Sequence, residues 1–305
     1  MDKLTRGIDK GFAEVFKASE AYGLLQDYSY ELFLGIRNDY INMYYRGLSI
    51  CKGRKVCDRF EIEIAKRYLD SMADQGYETI SPVELVRYYD QIKKNINDNY
   101  AEKRKEKDAQ QRLVNNNNAN LESAWVCVDV EYTRENAPGR FDIIAITKTY
   151  PHRVALIELK YGATAMGGSS GILKHAEDYL SFLKAGDFGQ RLIPELSRIM
   201  RSYGMFDYIG NPYIDTATSD DGFSRTPGFY FITLKNDDDR ARGTMRRYLW
   251  NNVHGAARDN VMYMLGLDIT KANKENFTPV FLFSDSDGSD IVDIISNEKY
   301  NIGLD

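Results

Sequence analysis

Residues 125–160 read WVCVDVEYTRENAPGRFDIIAITKTYPHRVALIELK, a stretch that predicts three short apolar strands joined by two tight connections. Charged side chains stand inside these apolar runs, where a purely structural sheet would not place them. In the third strand, VALIELK, Glu158 and Lys160 are two residues apart and share one face, with apolar neighbours on the other. We therefore take this stretch as the centre of the fold and as the candidate active site.

Hairpin symmetry predicts which of these charges face one another. A turn centred near Pro151 places residues whose numbers sum to about 302 opposite one another. That register pairs Asp142 with Lys160 and leaves Glu158 one diagonal step away. Centring the earlier connection on the segment ENAPG places Glu131 opposite Asp142 by the same reasoning. Charged side chains from all three strands are then expected on one patch, with the strands about 4.8 Å apart.

Length and composition predict a globular protein. The chain has 305 residues, 43% of them hydrophobic and 12% aromatic, which suffices for one large core or two ordinary ones. Its net charge of −5 lacks the basic excess of many nucleic-acid-binding proteins but is compatible with a local basic groove. The odd count of three cysteines favours a reducing compartment. Since no apolar run approaches the roughly 20 residues of a membrane span and the N-terminus lacks a signal-peptide pattern, we expect a cytoplasmic protein without a membrane partner.

The N-terminal third is predicted to be a mainly helical module. Apolar residues at helical spacing over residues 9–36 predict one or two helices, and FEIEIAKRYLDSM, residues 60–72, also looks helical. Ser81, followed by Pro82 and then Glu84, is typical of a helix start, and this helix is expected to continue to about residue 112.

A short hairpin is expected within this module at residues 40–56, YINMYYRGLSICKGRKV. We expect its tyrosine rings to pack in the module's core, because buried aromatic rings are the common case. A base-stacking platform is the alternative for this cluster, which consists of Tyr40, Tyr44, Tyr45 and Arg46.

The run Asn115–Asn118 is of low complexity and is predicted to be a loop or linker. We place the domain boundary there, with the helical module at residues 1–115 and a second domain at residues 120–305.

After the three strands, a glycine- and serine-rich loop at residues 162–171 is expected to lead into an amphipathic helix. Lys174 and His175 fall near its first turns and are candidate nucleic-acid contacts, although a polar residue at the edge of the apolar stripe is a slightly better explanation of His175. Arg242 and Arg246 belong to the densest basic cluster of the C-terminal half and are further candidates, with a plain surface helix as the alternative. Further strands are predicted at GFYFITL and PVFLFS.

Motif and element order together resemble the PD-(D/E)XK phosphodiesterase superfamily, the fold of many restriction enzymes and repair nucleases. GRFD is followed sixteen residues later by ELK. By this resemblance Asp142 corresponds to the motif's aspartate, and Glu158 and Lys160 correspond to its (D/E)XK. Phe141 stands where the motif has proline, and Pro138 is displaced upstream.

The family's core runs helix, three antiparallel strands, helix, strand, and residues 120–235 are predicted in that order. The resemblance therefore implies an α/β fold of the α+β type with a mixed sheet, a restriction-endonuclease-like core and an α-rich N-terminal module.

The resemblance also implies a reaction. Asp142 and Glu158, with Glu131 as a further member, would form an all-oxygen site suited to Mg²⁺, for which Mn²⁺ can substitute. Lys160 would orient the attacking water and stabilise charge on the phosphate. The expected activity is that of a metal-dependent nuclease, an endonuclease acting on DNA more readily than on RNA, in the manner of a prokaryotic antiviral defence effector.

Two other hypotheses accompany this one. In the first, the chain is a catalytically silent module that binds nucleic acid or a partner on the same fold. In the second, which is compatible with a nuclease, residues 1–115 bind a regulatory protein partner that controls activity.

Overall fold

The computed structural model describes residues 6–70, 72, 75–100, 103–133, 140–162, 172–208, 214–235, 279–283 and 287–288. Antiparallel and mixed sheets are combined with helices, which confirms the predicted α+β fold class. Its helices are α1 (Lys10–Lys17), α2 (Glu20–Asp27), α3 (Lys66–Leu69), α4 (Pro82–Asn99), α5 (Lys105–Ala119), α6 (Ile172–Lys184), α7 (Ile193–Phe206) and α8 (Ile214–Ala217). Its strands are β1 (Leu32–Ile36), β2 (Tyr40–Tyr45), β3 (Leu48–Val56), β4 (Arg59–Ala65), β5 (Tyr77–Ile80), β6 (Trp125–Thr133), β7 (Arg140–Thr147), β8 (Val154–Tyr161), β9 (Gly228–Leu234) and β10 (Pro279–Phe283). No helix in these ranges is long and apolar enough to cross a membrane.

The chain divides into two compact units. The first comprises Met1–Ala119 and Ile193–Asp220, and the second comprises Asn120–Leu192 and Asp221–Asp305. The division after Ala119 lies just beyond the run Asn115–Asn118, where the sequence analysis places a domain boundary. The predicted second domain, residues 120–305, is nevertheless interrupted, because the segment that carries α7 and α8 belongs to the first unit.

Helix α7 joins the first unit through contacts that no local pattern reveals. Tyr203 Oη donates to the carbonyl of Leu34 at 2.7 Å, and the Tyr22 hydroxyl donates to the carbonyl of Phe206 at 2.7 Å. Phe206 also packs edge-on against Phe16, with ring centroids 5.2 Å apart. Helical spacing predicts that α7 has a buried face but not which element covers it, so the sequence alone could not assign the helix to this unit.

The first unit contains a five-stranded antiparallel sheet in the order β1-β2-β3-β4-β5, where the sequence predicts helices and one short hairpin. The predicted hairpin is β2–β3. The helical prediction for residues 60–72 is wrong over most of its length, because β4 buries Phe60, Ile62 and Ile64 at every second position. A burial period of two marks a strand, and here it outweighs the helix-favouring residues that follow.

The asparagine run Asn115–Asn118 lies in α5 and not in a loop. Leu113 and Val114 of this helix are fully buried, and so is Asn117. Gln111 anchors the same helix by donating to the backbone carbonyls of Glu31 at 2.7 Å and Tyr44 at 2.8 Å. Tertiary packing of this kind overrides the weak helix propensity of asparagine, which is the physical reason for the wrong loop prediction.

Helix α4 begins where the sequence predicts. Ser81 Oγ accepts the N–H of Glu84 at 3.3 Å, the Glu84 carboxylate accepts the N–H of Ser81 at 2.8 Å, and Pro82 occupies the first helical position. The helix ends at Asn99, and α5 starts separately at Lys105, so the single long helix of the prediction is two helices.

We expect Ser81→Ala to lower the free energy of unfolding by about 1 kcal/mol, because it leaves helical N–H groups of α4 without their side-chain acceptor. Urea unfolding followed by circular dichroism measures this change. Ser81→Thr keeps the hydroxyl and serves as the control that retains stability. An unchanged midpoint for Ser81→Ala would show that the cap contributes nothing.

The second unit is built on a mixed five-stranded sheet in the order β10-β9-β8-β7-β6. Strands β6, β7 and β8 are antiparallel, whereas β9 runs parallel to β8 and β10 runs parallel to β9. Helix α6 lies between β8 and β9 in the chain, and its Tyr179 stacks on Phe229 of β9 with ring centroids 4.3 Å apart. The predicted order of three antiparallel strands, a packed helix and a further strand is confirmed.

Candidate active site

Strand pairing sets the candidate residues of β7 and β8 side by side. The register runs from Ile143↔Ile157 to Ile146↔Val154, so paired residue numbers sum to 300. Continued by one residue, it brings Asp142 level with Glu158. The predicted pairing of Asp142 with Lys160 is therefore wrong by two residues. A shift of two residues leaves each side chain on the same face of the sheet, so Asp142, Glu158 and Lys160 still share one face.

The β7–β8 turn explains this shift. Thr147 donates its N–H to the carbonyl of Arg153 at 2.9 Å, and Thr147 Oγ1 accepts the N–H of Arg153 at 2.8 Å. These bonds centre the turn on Tyr150 and not on Pro151. A shift of the centre by one residue moves every opposite pair by two, which turns a carboxylate–ammonium pair into a carboxylate–carboxylate pair.

Glu158, Lys160 and His175 form one contact group. Lys160 Nζ donates to Glu158 Oε1 at 2.6 Å, and His175 Nε2 lies 2.9 Å from the same oxygen and 3.2 Å from Lys160 Nζ. Glu158 is 2% exposed and Lys160 5%. The alternation of β8 places the first two on one face, and the first turn of α6 supplies the histidine.

Asp142 is bound to the strand that carries this group. Its Oδ2 accepts the backbone N–H of Leu159 at 3.0 Å, and its Oδ1 lies 3.3 Å from Arg140 Nη2. The side chain is buried at 3% exposure. Asp142, Glu158 and Lys160 are thus brought together, as the sequence predicts.

The two carboxyl groups have pKa values that are pushed apart. Burial, together with the negative charge of Glu158, raises the pKa of Asp142 to about 8, against the opposing effects of the Leu159 N–H, Arg140 and Lys160. Burial also acts to raise the pKa of Glu158, but His175 and Lys160 outweigh it, so the net pKa of Glu158 is below its ordinary value. Neighbouring carboxyls with divergent pKa values are typical of functional sites.

Glu131 is linked to this group through an arginine. Its neighbours pair as Val130↔Ile143 and Tyr132↔Phe141, so the β6–β7 register sets Glu131 level with Asp142, as predicted. Glu131 itself has a left-handed backbone, with φ of 53°. Its Oε1 lies 3.8 Å from Arg140 Nη1, and the other terminal nitrogen of this guanidinium contacts Asp142.

Two further charged residues, Arg140 and Asp129, lie on the sheet face that carries Asp142, and the sequence prediction did not include them. Arg140 lies two positions before Asp142 and bridges it to Glu131. Asp129 is fully buried opposite Ile144, next to the bulge between Cys127 and Asp129, and its Oδ1 accepts the N–H of Val130 at 2.9 Å. The sequence could have indicated both residues, because side chains two apart in a strand share a face. Arg140 lies two residues from Asp142, and Asp129 lies two residues from Glu131.

The candidate nucleic-acid contacts lie in different places. His175 contacts Glu158 and Lys160, so its place is at the centre of the site. Lys174 is half-exposed and forms an ion pair with Asp178 one turn along α6. Arg242 and Arg246 lie outside the residues that the structure describes.

The tyrosines of the β2–β3 hairpin confirm the prediction of core packing in two of three cases. Tyr44 and Tyr45 are 4% and 7% exposed. Tyr40 is half-buried, and Lys52 Nζ lies 4.2 Å from its ring centroid. The cross-strand partners of Lys52 and Arg54 are Glu63 and Glu61, so acidic residues stand opposite the basic ones on this face of the first sheet.

The donor chemistry of the site fits a hard divalent cation. Among the described residues there is no group of three or more His, Cys, Asp or Glu side chains that could hold a metal ion. Mg²⁺ does not need such a cage, because it binds through one or two carboxylates and completes its shell with waters and substrate phosphate. Burial and then the charge of Glu158 raise the pKa of Asp142, and a cation bound between the two carboxyls would favour their ionised forms. Asp142 and Glu158 are the residues that would hold it.

Comparisons of the chain with protein-family models, with curated proteins and with solved structures found no match.

Proposed function

We propose that this protein is a Mg²⁺-dependent nuclease that hydrolyses phosphodiester bonds in nucleic acid. The observation that carries this proposal is the convergence of Asp142, Glu158, Lys160 and His175 on one face of a buried mixed sheet. Burying two facing carboxyls and an ammonium costs stability, so a function is a physical reason for the protein to retain them. Their arrangement on consecutive strands followed by a packed helix supports the resemblance to PD-(D/E)XK enzymes.

Each residue has a chemical role in this proposal. Asp142 and Glu158 would hold the divalent ion, which when bound neutralises phosphate charge and activates water. Lys160, bonded to Glu158, would position the attacking water and stabilise negative charge on the phosphate. His175 holds Glu158 and Lys160 in place from α6. Glu131, through Arg140, would adjust the charge at Asp142 or add a ligand.

The resemblance to restriction and repair enzymes supports DNA as the substrate ahead of RNA, internal bonds as the cleaved bonds and Mn²⁺ as a substitute metal. On the same ground we propose a cytoplasmic role in prokaryotic antiviral defence. The compact unit that contains residues 1–115 supports a regulatory partner that binds this part of the chain.

One cleavage panel tests the proposal. Single- and double-stranded DNA and RNA, linear and circular, are incubated with the protein in Mg²⁺, Mn²⁺ or EDTA. We expect circular DNA to be cut with either metal and no substrate to be cut in EDTA. Asp142→Ala, Glu158→Ala and Lys160→Ala should each lose this activity, whereas Arg87→Ala, an exposed arginine of α4, should retain it. Cutting by the three variants at the parent's rate would refute the assignment.

A silent binding module remains the second candidate, because each carboxylate of the pair already has a cationic neighbour. Arg140 contacts Asp142, and Lys160 contacts Glu158. In a silent module these cationic side chains, and not a metal ion, would neutralise the two carboxylates. Calorimetric titration with Mn²⁺ separates the two functions: the nuclease binds Mn²⁺ and loses that binding in Asp142→Ala, whereas the silent module takes up none.

A further inference from the structure

Arg140 lies between two carboxylates at the edge of the candidate active site. Its Nη2 is 3.3 Å from Asp142 Oδ1, and its Nη1 is 3.8 Å from Glu131 Oε1. The two ends of the guanidinium therefore contact side chains of different strands, Asp142 of β7 and Glu131 of β6. A guanidinium shared in this way can leave one carboxylate and keep the other, because its donors form a fork.

The two carboxylates differ in depth. The side chain of Asp142 is 4% exposed, whereas that of Glu131 is 23% exposed and that of Arg140 is 46% exposed. The inner partner of Arg140 is thus the buried carboxyl that would hold the metal ion, and its outer partner lies closer to solvent. Because exposed side chains change rotamer within nanoseconds, the guanidinium can move outward without any opening of the core.

Arg140 and a bound metal ion would compete for Asp142. Two positive charges on one buried carboxyl repel each other, and this repulsion is stronger in the protein than in water. The Asp142 Oδ2 atom accepts the N–H of Leu159 at 3.0 Å, and the guanidinium contacts the other oxygen. Arg140 should therefore weaken metal binding, and by reciprocity metal binding should weaken the contact of Arg140 with Asp142.

Arg140 is also more accessible to a substrate than the other basic side chains of the site. Its side chain is 46% exposed, against 7% for Lys160 and 17% for His175. Guanidinium groups bind phosphate oxygens through paired hydrogen bonds and stay charged at physiological pH. Arg140 therefore has both the chemistry and the exposure to meet a phosphate that approaches the site from solvent.

We propose that Arg140 is a displaceable counter-ion of Asp142, which leaves that carboxyl when the metal site is filled, stays anchored to Glu131 and contacts the substrate phosphate. This inference rests on the proposed nuclease function and adds a phosphate-binding residue to it. Glu131 is then a positioning residue that acts through Arg140, and not a metal ligand.

Calorimetric titration of the full-length chain with Mn²⁺, without nucleic acid, tests the competition. We expect Arg140→Gln to bind Mn²⁺ about tenfold more tightly than the parent, because the competing positive charge at Asp142 is removed. Arg87→Gln, the same change at an exposed arginine of α4, should bind Mn²⁺ as the parent does. Damage to the fold would weaken metal binding, so a gain in affinity distinguishes the proposal from a structural defect.

A double-substitution cycle tests the anchor. Glu131→Gln should weaken Mn²⁺ binding about fivefold, because Arg140 then loses its outer carboxylate and stays on Asp142. In the Arg140→Gln background the same change should have no effect, since no guanidinium remains for Glu131 to hold. An equal loss of affinity in both backgrounds would make Glu131 a metal ligand and would contradict its proposed role.

Cleavage kinetics test the phosphate contact. At saturating Mn²⁺, Arg140→Gln should lower kcat/KM for circular DNA by about 10²-fold, because a donor to the phosphate charge is lost. The same variant binds the metal more tightly, so the two effects have opposite signs. Loss of a metal ligand would instead weaken both metal binding and cleavage.

The results separate this inference from the function on which it rests. If the parent neither binds Mn²⁺ nor cleaves, the nuclease proposal fails and this inference fails with it. If the parent does both and Arg140→Gln binds Mn²⁺ no more tightly, Arg140 forms only a surface ion pair and this inference alone is wrong. It is equally wrong if Arg140→Gln cleaves as fast as the parent.

Discussion

Asp142→Asn is expected to abolish Mg²⁺-dependent cleavage and at the same time to stabilise the cation-free protein at pH 8. Substitutions of residues that only support a metal ligand cost about 10–100-fold in affinity or activity, so loss of a ligand itself should exceed about 10²-fold. The stability gain arises because asparagine removes a buried acidic group that repels Glu158 when it ionises, while its carbonyl oxygen can still accept the Leu159 N–H.

The pH dependence of this gain follows from the pKa of Asp142, which is raised from 3.8 to about 8. A carboxyl with a raised pKa in the folded state contributes stability that is full below its unfolded pKa and is lost as pH rises through the folded pKa. The parent should therefore lose stability relative to Asp142→Asn between about pH 4 and pH 8. The slope of this difference is at most about 1.4 kcal/mol per pH unit.

Urea unfolding in EDTA at several pH values, followed by tryptophan fluorescence, measures the difference in the free energy of unfolding between the two proteins. The fluorescence reports on the second unit, which contains Asp142. Both tryptophans of the chain, at positions 125 and 250, fall in the second unit. Adding Mg²⁺ at pH 8 should stabilise the parent but not the variant. Parallel pH profiles for the two proteins would mean that burial and the charge of Glu158 do not raise the pKa of Asp142.

Lys160→Met should have the second large effect, on stability as well as cleavage. It removes the ammonium 2.6 Å from Glu158 Oε1 and leaves a buried carboxylate, 2% exposed, that still contacts His175. Breaking a buried ion pair from one side costs about 3–5 kcal/mol, because the other charge stays buried without compensation. We expect a loss of that size at pH 8.

A double substitution separates the two effects of Lys160→Met. The pair Glu158→Gln with Lys160→Met removes both charges and should recover most of the lost stability without recovering cleavage. Lys174→Met is the matched control, since that lysine is 45% exposed and its loss should change the free energy of unfolding by no more than about 0.5 kcal/mol. If Lys160→Met unfolds as the control does, the Glu158–Lys160 pair carries no more energy than a surface ion pair.

The candidate site shows which features a sequence can predict. Strands β6, β7 and β8 were predictable because continuous apolar runs bounded by turns mark buried strands. The shared face of Asp142, Glu158 and Lys160 was predictable because alternation survives a register shift of two residues. The contact of His175 with Glu158 required the packed position of α6, which periodicity does not supply.

The sequence by itself determined the α+β class, the three central strands and the set of acidic and basic groups they carry, since these depend on local periodicity and residue type. Tertiary structure alone decided which groups meet. The turn centred on Tyr150 sets Asp142 beside Glu158, whose charge adds to the larger effect of burial in raising the pKa of Asp142. Packing also placed Asn115–Asn118 in a helix and α7 in the first unit. These outcomes depend on contacts between residues distant in the chain, whose energies exceed the weak local preferences that a sequence pattern records.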